Sequence, residues 1–258
     1  MTEIVSPKNT KALENRGRLL VGYLVAGYPD RDSFLQILRQ SVDAGLDIVE
    51  VGFPSGNPYT DGEVIQNAHK AVDPAVATDI DYWREIRGAV DAPIWIMGYG
   101  EDLVDTGLYL KLAQAGVADA FVIPNIDAPL RRELARELAQ YGVDMVGSVN
   151  PDTPRDETDA CLSREALIYL QLYAGPTGLK VTEDRFPDLL LRAKQHSYTR
   201  VFAGFGIDEP ERVAHLLDSG FDGVIVGTAM IKHLNRSRSA LMQYIGRMKE
   251  AAGKERSA

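Results

Sequence analysis

The chain has 258 residues, close to the roughly 250 of one closed α/β barrel, and its 45% apolar and 25% charged residues exclude a disordered or fibrous protein. A net charge of −9 offers no basic stripe for nucleic acid, while a phosphorylated small molecule stays admissible, because helix-start N–H groups hold phosphate without lysine or arginine. One cysteine rules out an intramolecular disulfide, and with no secretory core and no apolar run long enough for a bilayer the expected location is cytoplasmic, away from membranes.

In chain order, a short N-terminal extension of about residues 1–18 precedes a first strand predicted at Leu20–Val25. A helix from Asp32 to Ala44, apolar on one face, leads through Gly45 into a second strand at Ile48–Gly52. Further strands are predicted at Ile94–Met97, Ala120–Ile123, Met145–Val149, Ile168–Leu172, Val201–Ala203 and Gly223–Val226, with helices at Pro129 to Gln140 and Glu209 to Ser219 among the intervening segments. A last helix, roughly Ser239 to Ala251, closes the bottom or side, and a frayed tail begins near residue 252.

A weak internal repeat runs through this pattern. A helix ends on glycine and an aspartate introduces the next strand, as in Gly45-Leu46-Asp47, Gly116-Val117-Ala118-Asp119, Gly142-Val143-Asp144 and Gly220-Phe221-Asp222. Glycine there supplies a left-handed helix cap without steric cost. Alternating strands and helices, with strands apolar on both faces, argue for a parallel sheet covered by helices. Eight strands and no Gly-x-Gly-x-x-Gly after the first favour a single-domain (β/α)₈ barrel over an open doubly wound sheet.

In such a barrel the chemistry sits at the C-terminal strand ends. Glu50 lies inside an otherwise apolar strand, where an inward-facing carboxylate is desolvated and its pKa rises; the alternative is an outward-facing group paired with a helix lysine or arginine. Asp61 follows a loop carrying Pro54, Gly56 and Pro58, and its plain role is the N-cap of the next helix. Phe205-Gly206-Ile207 and Gly227-Thr228-Ala229, at the ends of strands 7 and 8, bring glycine next to a helix start, as a phosphate cradle requires; tight turns are the alternative.

Other candidates are weak. His69, His196, His215 and His233 fall on helices or helix ends without ligand spacing, so no metal site is expected. Cys161 reads as a packing residue in a helix, and no predicted strand contains the lysine of a Schiff-base aldolase.

Taken in order, Glu50-Val-Gly-x-Pro, Thr60-Asp61-Gly62-x-x-Ile65-Gln66, Pro176-Thr177-Gly178, Gly204-Phe205-Gly206-Ile207 and Gly227-Thr228-Ala229-x-x-Lys232 resemble the tryptophan synthase α-subunit family, over roughly Leu19 to Met248. The resemblance implies retro-aldol cleavage of indole-3-glycerol phosphate to indole and glyceraldehyde 3-phosphate, with no metal or organic cofactor. It implies that Glu50 handles proton transfers and that Asp61 stabilises the charge developing on the ring nitrogen, with Tyr169 touching Glu50 or the substrate. It further implies an indole pocket of Tyr23, Met97, Tyr99 and Phe205, a phosphate site of Gly178, Gly206, Gly227 and Thr228, and a loop in which Thr177 closes over Asp61.

The departures from the family pattern cluster in loops. Pro54-Ser55-Gly56-Asn57-Pro58 stands where Pro-Phe-Ser-Asp-Pro is usual, Leu172-Tyr173 replaces a Ser-Arg pair, and Asn125-Ile126-Asp127 replaces Asp-x-Pro. In the family these loops serve closure and communication with a pyridoxal-phosphate-dependent β subunit. The expectation is therefore a diverged member whose coupling to that partner is weakened. A barrel lyase or isomerase for another phosphorylated substrate, and a non-catalytic regulatory subunit, are the competing readings.

Overall fold

Eight strands, β1 (Leu19–Val25), β2 (Ile48–Gly52), β3 (Ile94–Met97), β4 (Ala120–Val122), β5 (Asp144–Val149), β6 (Leu167–Gln171), β7 (Arg200–Gly204) and β8 (Gly223–Val226), pair in chain order, and β8 closes on β1. All eight pairings are parallel, so the sheet has no free edge. The computed structural model describes residues 3–14, 18–59, 61–179, 184–196 and 199–253. The expected (β/α)₈ barrel is observed, with strand ends displaced by at most one residue; β5, for instance, starts at Asp144.

The connecting helices are α2 (Arg31–Asp43), α3 (Glu63–Ala71), α4 (Ile80–Ala89), α5 (Gly100–Leu103), α6 (Leu108–Gln114), α7 (Ala128–Ala139), α8 (Arg155–Leu162), α9 (Pro187–Lys194), α10 (Pro210–Asp218) and α11 (Thr228–Arg236). Their apolar faces cover the outward strand residues, among them Val49, Val51, Leu24 and Leu170, in one continuous core. Asp30 caps α2 by accepting from Ser33 N, and Asp127, in the altered loop after β4, caps α7 by accepting from Leu130 N at 2.8 Å. Cys161 is buried in α8, where burial pushes its thiol up to about 11, so it packs and does not react. Among the described residues, no helix is long and apolar enough to cross a membrane.

Inside the barrel, Val21, Ile48, Trp95, Ala120, Val146, Leu167, Phe202 and Ile225 form a second core, with Trp95 and Phe202 in edge contact at 4.9 Å. Below it lies α1 (Pro7–Glu14), which plugs the N-terminal mouth. Asn9 accepts from the Trp95 indole N–H at 2.9 Å and donates to Asp144 at 2.8 Å, while the backbone N–H groups of Val5 and Ser6 also bond the Asp144 carboxylate. At the other end of the chain, α12 (Arg238–Gly253) packs on α10, α11 and α2 along the barrel's side; residues 254–258 lie outside the described set.

The Gly/Asp repeat has a physical basis. All four glycines adopt positive φ, from +68° at Gly116 to +124° at Gly45. Three of the aspartates reach back to the preceding strand: Asp47 accepts from Leu20 N, Asp119 from Ile94 N and Asp222 from Val201 N, at 2.7–2.9 Å. Each is also paired with a cation, Lys249, Arg87 and Lys194 respectively. The motif thus staples neighbouring strands at the stable end of the barrel and leaves the opposite end free for chemistry.

Candidate active site

Glu50 follows Ile48 by two residues in β2, and Ile48 belongs to the inner core, so the strand's alternation points Glu50 into the barrel. It is 2% exposed, and its Oε1 has no hydrogen-bond partner among the described residues. Burial first, and the neighbouring Asp61 charge second, push its pKa up to about 8. The carboxyl is therefore mostly protonated at neutral pH and can give or take a proton there. The outward-facing alternative is excluded.

Asp61 is not a helix cap. Gly62 occupies the N-cap position of α3, and the Asp61 carboxylate turns inward, 3% exposed. Its Oδ2 accepts from Tyr99 Oη at 2.7 Å, and its Oδ1 accepts from Thr177 Oγ1 at 3.4 Å. Burial raises its pKa, but both of these donors favour the ionised form and pull the other way.

Both carboxyls line a cavity of about 460 Å³ that Tyr23, Met97, Tyr169 and Phe205 also border. Its walls include Val122, Pro124, Ile65 and Tyr59, enough apolar surface for a flat ring system. Tyr99 stands one layer back: it is 2% exposed, packs at a tilt against Tyr59 at 5.0 Å and holds Asp61 through its hydroxyl. Tyr169 is buried beside Gly204, where any side chain would collide with its ring, and makes edge contact with Phe205 at 6.0 Å. Burial and the two carboxylates drive the Tyr169 phenol well above its usual range, so it remains an O–H donor at any accessible pH.

A second cavity, of about 160 Å³, adjoins the first and shares Tyr169, Thr177, Phe205 and Gly227 with it. Gly178, Gly206, Gly227 and Thr228 all border it. Phe205 and Gly206 both hold positive φ, +73° and +71°, which turns the chain sharply after β7; for phenylalanine this is a strained conformation. α11 starts at Thr228 without a side-chain cap, Gly227, Thr228 and Ala229 of its first turn border the cavity, and the buried Thr228 Oγ1 has no partner among the described residues. Such a cradle binds an anion with acceptor oxygens. Lys232 and Arg236, one turn apart on α11, line the same space.

Thr177 closes the roof. Its Oγ1 accepts from Gly62 N at 2.8 Å while donating to Asp61, and a Cβ at position 62 would lie 2.2 Å from its carbonyl oxygen. Tyr173 straps this loop: its hydroxyl donates to Pro176 O at 3.1 Å and accepts from Leu179 N at 3.0 Å. Three contributors escape a reading of the sequence. Tyr173 and Asn125 enter there only as departures, and His69 only as one of four helical histidines. Asn125 accepts from Gly100 N and donates to Tyr59 and Glu101, binding three loops together. His69 contacts Tyr23 at 3.0 Å; the only local signal is its spacing of four from Ile65, which puts both on the inner face of α3.

Comparison with known proteins agrees with this geometry. Residues 9–258 match the family described as tryptophan synthase alpha chain. The alpha chain of Methanoregula boonei is 30% identical over 247 residues, covering 90% of this chain and 93% of that one, and the Arabidopsis thaliana alpha chain is 28% identical, covering 88% and 86%. Among solved structures, tryptophan synthase from Mycobacterium tuberculosis superposes with a TM-score of 0.85 at 23% identity, over 99% and 100% of the two chains. A mutant tryptophan synthase α-subunit from Pyrococcus furiosus gives 0.77 at 27% identity, over 93% and 99%. With a family match that covers all but the first eight residues, the chain belongs to the tryptophan synthase α chain family.

Proposed function

We propose that Glu50 transfers the protons and Asp61 stabilises the developing charge in the reaction of this family, the retro-aldol cleavage of indole-3-glycerol phosphate to indole and glyceraldehyde 3-phosphate. The chain is a lyase of this type. The observation that carries the assignment of roles is one cavity holding two carboxyls in different surroundings: Glu50 with its pKa pushed up to about 8 and its Oε1 without a partner among the described residues, Asp61 with a hydrogen-bond donor on each oxygen.

The atoms balance through Glu50 alone. Its carboxyl proton goes to indole C3, which places positive charge on the ring nitrogen; Asp61 accepts the N–H and offsets that charge. The resulting carboxylate takes the proton of the adjacent glycerol hydroxyl, the C–C bond breaks, and its electron pair restores the aromatic ring as the aldehyde forms. The ring occupies the larger cavity among Tyr23, Met97 and Phe205. Gly178, Gly206, Gly227 and Thr228 hold the phosphate in the smaller one, with Tyr169 between the two and Thr177 excluding water.

Turnover of indole-3-glycerol phosphate by the purified chain tests the reading. Glu50→Gln keeps the shape and removes the proton, and is expected to lower kcat by about 10²–10⁴-fold or more; Asp61→Asn, a neutral amide, is also expected to be severely impaired. Unchanged activity in Glu50→Gln overturns the assignment. The proposal extends to a cytoplasmic enzyme that meets a pyridoxal-phosphate-dependent β subunit with weakened coupling, because the side chains of Ser55, Asn125 and Tyr173 in the altered loops are bonded within this chain. Gel filtration with a β subunit and the change in indole production on mixing measure that coupling; tight association with strong mutual activation refutes the weakening.

A further inference from the structure

Behind the wall of the ring cavity, away from solvent, lies a three-membered hydrogen-bond chain. Ser55 N is 3.2 Å from His69 Nδ1, and His69 Nε2 is 3.0 Å from Tyr23 Oη. A backbone amide can only donate, so Nδ1 presents a lone pair and the ring is neither an imidazolium nor the Nδ1–H tautomer. The proton must sit on Nε2, and Nε2–H donates to the tyrosine oxygen. Burial agrees, holding the His69 pKa down at about 4.

The tautomer fixes what Tyr23 can do. With its oxygen accepting from His69, the hydroxyl hydrogen is left to point elsewhere, and the phenol oxygen lies over Gly52, 2.2 Å from where a Cβ would stand. Tyr23 and Glu50 are register partners on adjacent strands and border the same cavity. Both Asp61 oxygens already accept hydrogen bonds, whereas Glu50 Oε1 is buried with no partner among the described residues. Glu50 Oε1 is thus the acceptor on that wall that holds no bond among the described residues, the one to Tyr23 being still unmade in the structure.

We propose that Tyr23 is a further functional residue, an obligate donor to Glu50 once Glu50 has given up its proton, and that His69 is the positioning residue that makes it one. Resting on the assignment of Glu50 as the proton carrier, the proposal adds a bond made only after the first proton transfer, when the carboxylate is buried with no cation on the cavity wall among the described residues. Around Glu50 the titratable groups are Tyr23 from β1, Asp61 after β2 and Tyr169 from β6, with Tyr99 behind Asp61. None is a cation, so a neutral O–H donor is what this site can supply.

Three measurements on the full chain test this. In ¹⁵N NMR of the wild type, His69 should hold the neutral Nε2–H tautomer without titrating between pH 5 and 9; an Nδ1–H tautomer or a titrating ring overturns the proposal and needs no variant. Tyr23→Phe should lower kcat about 10–100-fold, the scale of one hydrogen bond to a charged group, with KM changed less than about threefold. Its kcat/KM profile should have its alkaline limb moved to higher pH, because the ionised Glu50 loses a donor and the protonated, active form persists further. His69→Leu should reproduce both effects, His69→Gln should recover part of them through its amide N–H, and the Tyr23→Phe/His69→Leu pair should be no worse than either alone. Full kcat in Tyr23→Phe, a change in KM alone, or additive losses overturn the proposal. A ¹³C titration of Glu50 in wild type and Tyr23→Phe separates the two claims: a higher Glu50 pKa in the variant supports the donor even if turnover fails, and an equal pKa refutes it even if turnover is found.

Discussion

Glu50→Gln should make the protein more stable, and by an amount that depends on pH. In the unfolded chain this carboxyl ionises at about 4.5; in the barrel it ionises at about 8 because it is buried beside Asp61. A raised carboxyl pKa works against the fold: as pH rises through 4.5 the unfolded state gains an ionisation that the folded state cannot yet make, and the loss stops growing once the folded group ionises near 8. At 1.36 kcal/mol per pH unit, the full gap corresponds to roughly 5 kcal/mol above pH 8, of which roughly 3 kcal/mol is already felt at pH 7. Glutamine does not ionise, so the variant escapes this penalty. Urea unfolding of both proteins at pH 4.5, 7 and 9 measures it, with the slope m checked for constancy. The difference should be close to zero at pH 4.5 and grow to several kcal/mol by pH 9. A pH-independent difference, or a variant less stable at pH 7, refutes the claim that Glu50 is held protonated by its surroundings.

Two further outcomes follow from particular contacts. Gly62→Ala places a methyl group 2.2 Å from the Thr177 carbonyl, so the roof loop must lift from Asp61; kcat is expected to fall about 100-fold with little loss of stability, read by steady-state kinetics and faster proteolytic cutting near Thr177. Asp119→Ala leaves the Arg87 guanidinium, 16% exposed, without its carboxylate and Ile94 N without its acceptor; unfolding should become easier by about 3–5 kcal/mol, and a loss under about 1 kcal/mol in urea denaturation would show that the strand staple is dispensable.

The barrel was legible because its signals are local. Strand runs, helix faces and helix-ending glycines each lie within about ten residues, and the positive φ at Gly45, Gly116, Gly142 and Gly220 follows from residue type alone. Glu50 was legible for the same reason: a carboxylate two residues after Ile48 in an apolar strand has one burial-compatible direction. The local sequence of Asp61 pointed toward a helix cap, because the donors that define it come from Tyr99, 38 residues away, and Thr177, 116 residues away. The repeat's aspartates hide their role likewise, since accepting the N–H of the preceding strand requires that the strands already be side by side.

His69 marks the boundary of such reasoning. On its helix it is one more inward residue beside Ile65, and nothing local distinguishes it from packing. Its role follows from two contacts made by other segments, Ser55 in the altered loop after β2 and Tyr23 in β1. The same holds for Asn125 and Tyr173, which occupy the other two altered loops and bond to neighbouring loops or within their own. Each of the three departures from the family pattern therefore coincides with an interaction that holds the mouth of the barrel from inside the chain. A loop fixed by its own side chains has less conformational freedom for a partner to remove, so the free energy available to couple a partner to the active site is smaller. The altered residues and the proposed loss of coupling then rest on one physical argument: self-supporting loops around the pair of carboxyls are expected to leave the chemistry in place and to reduce a partner's control of it.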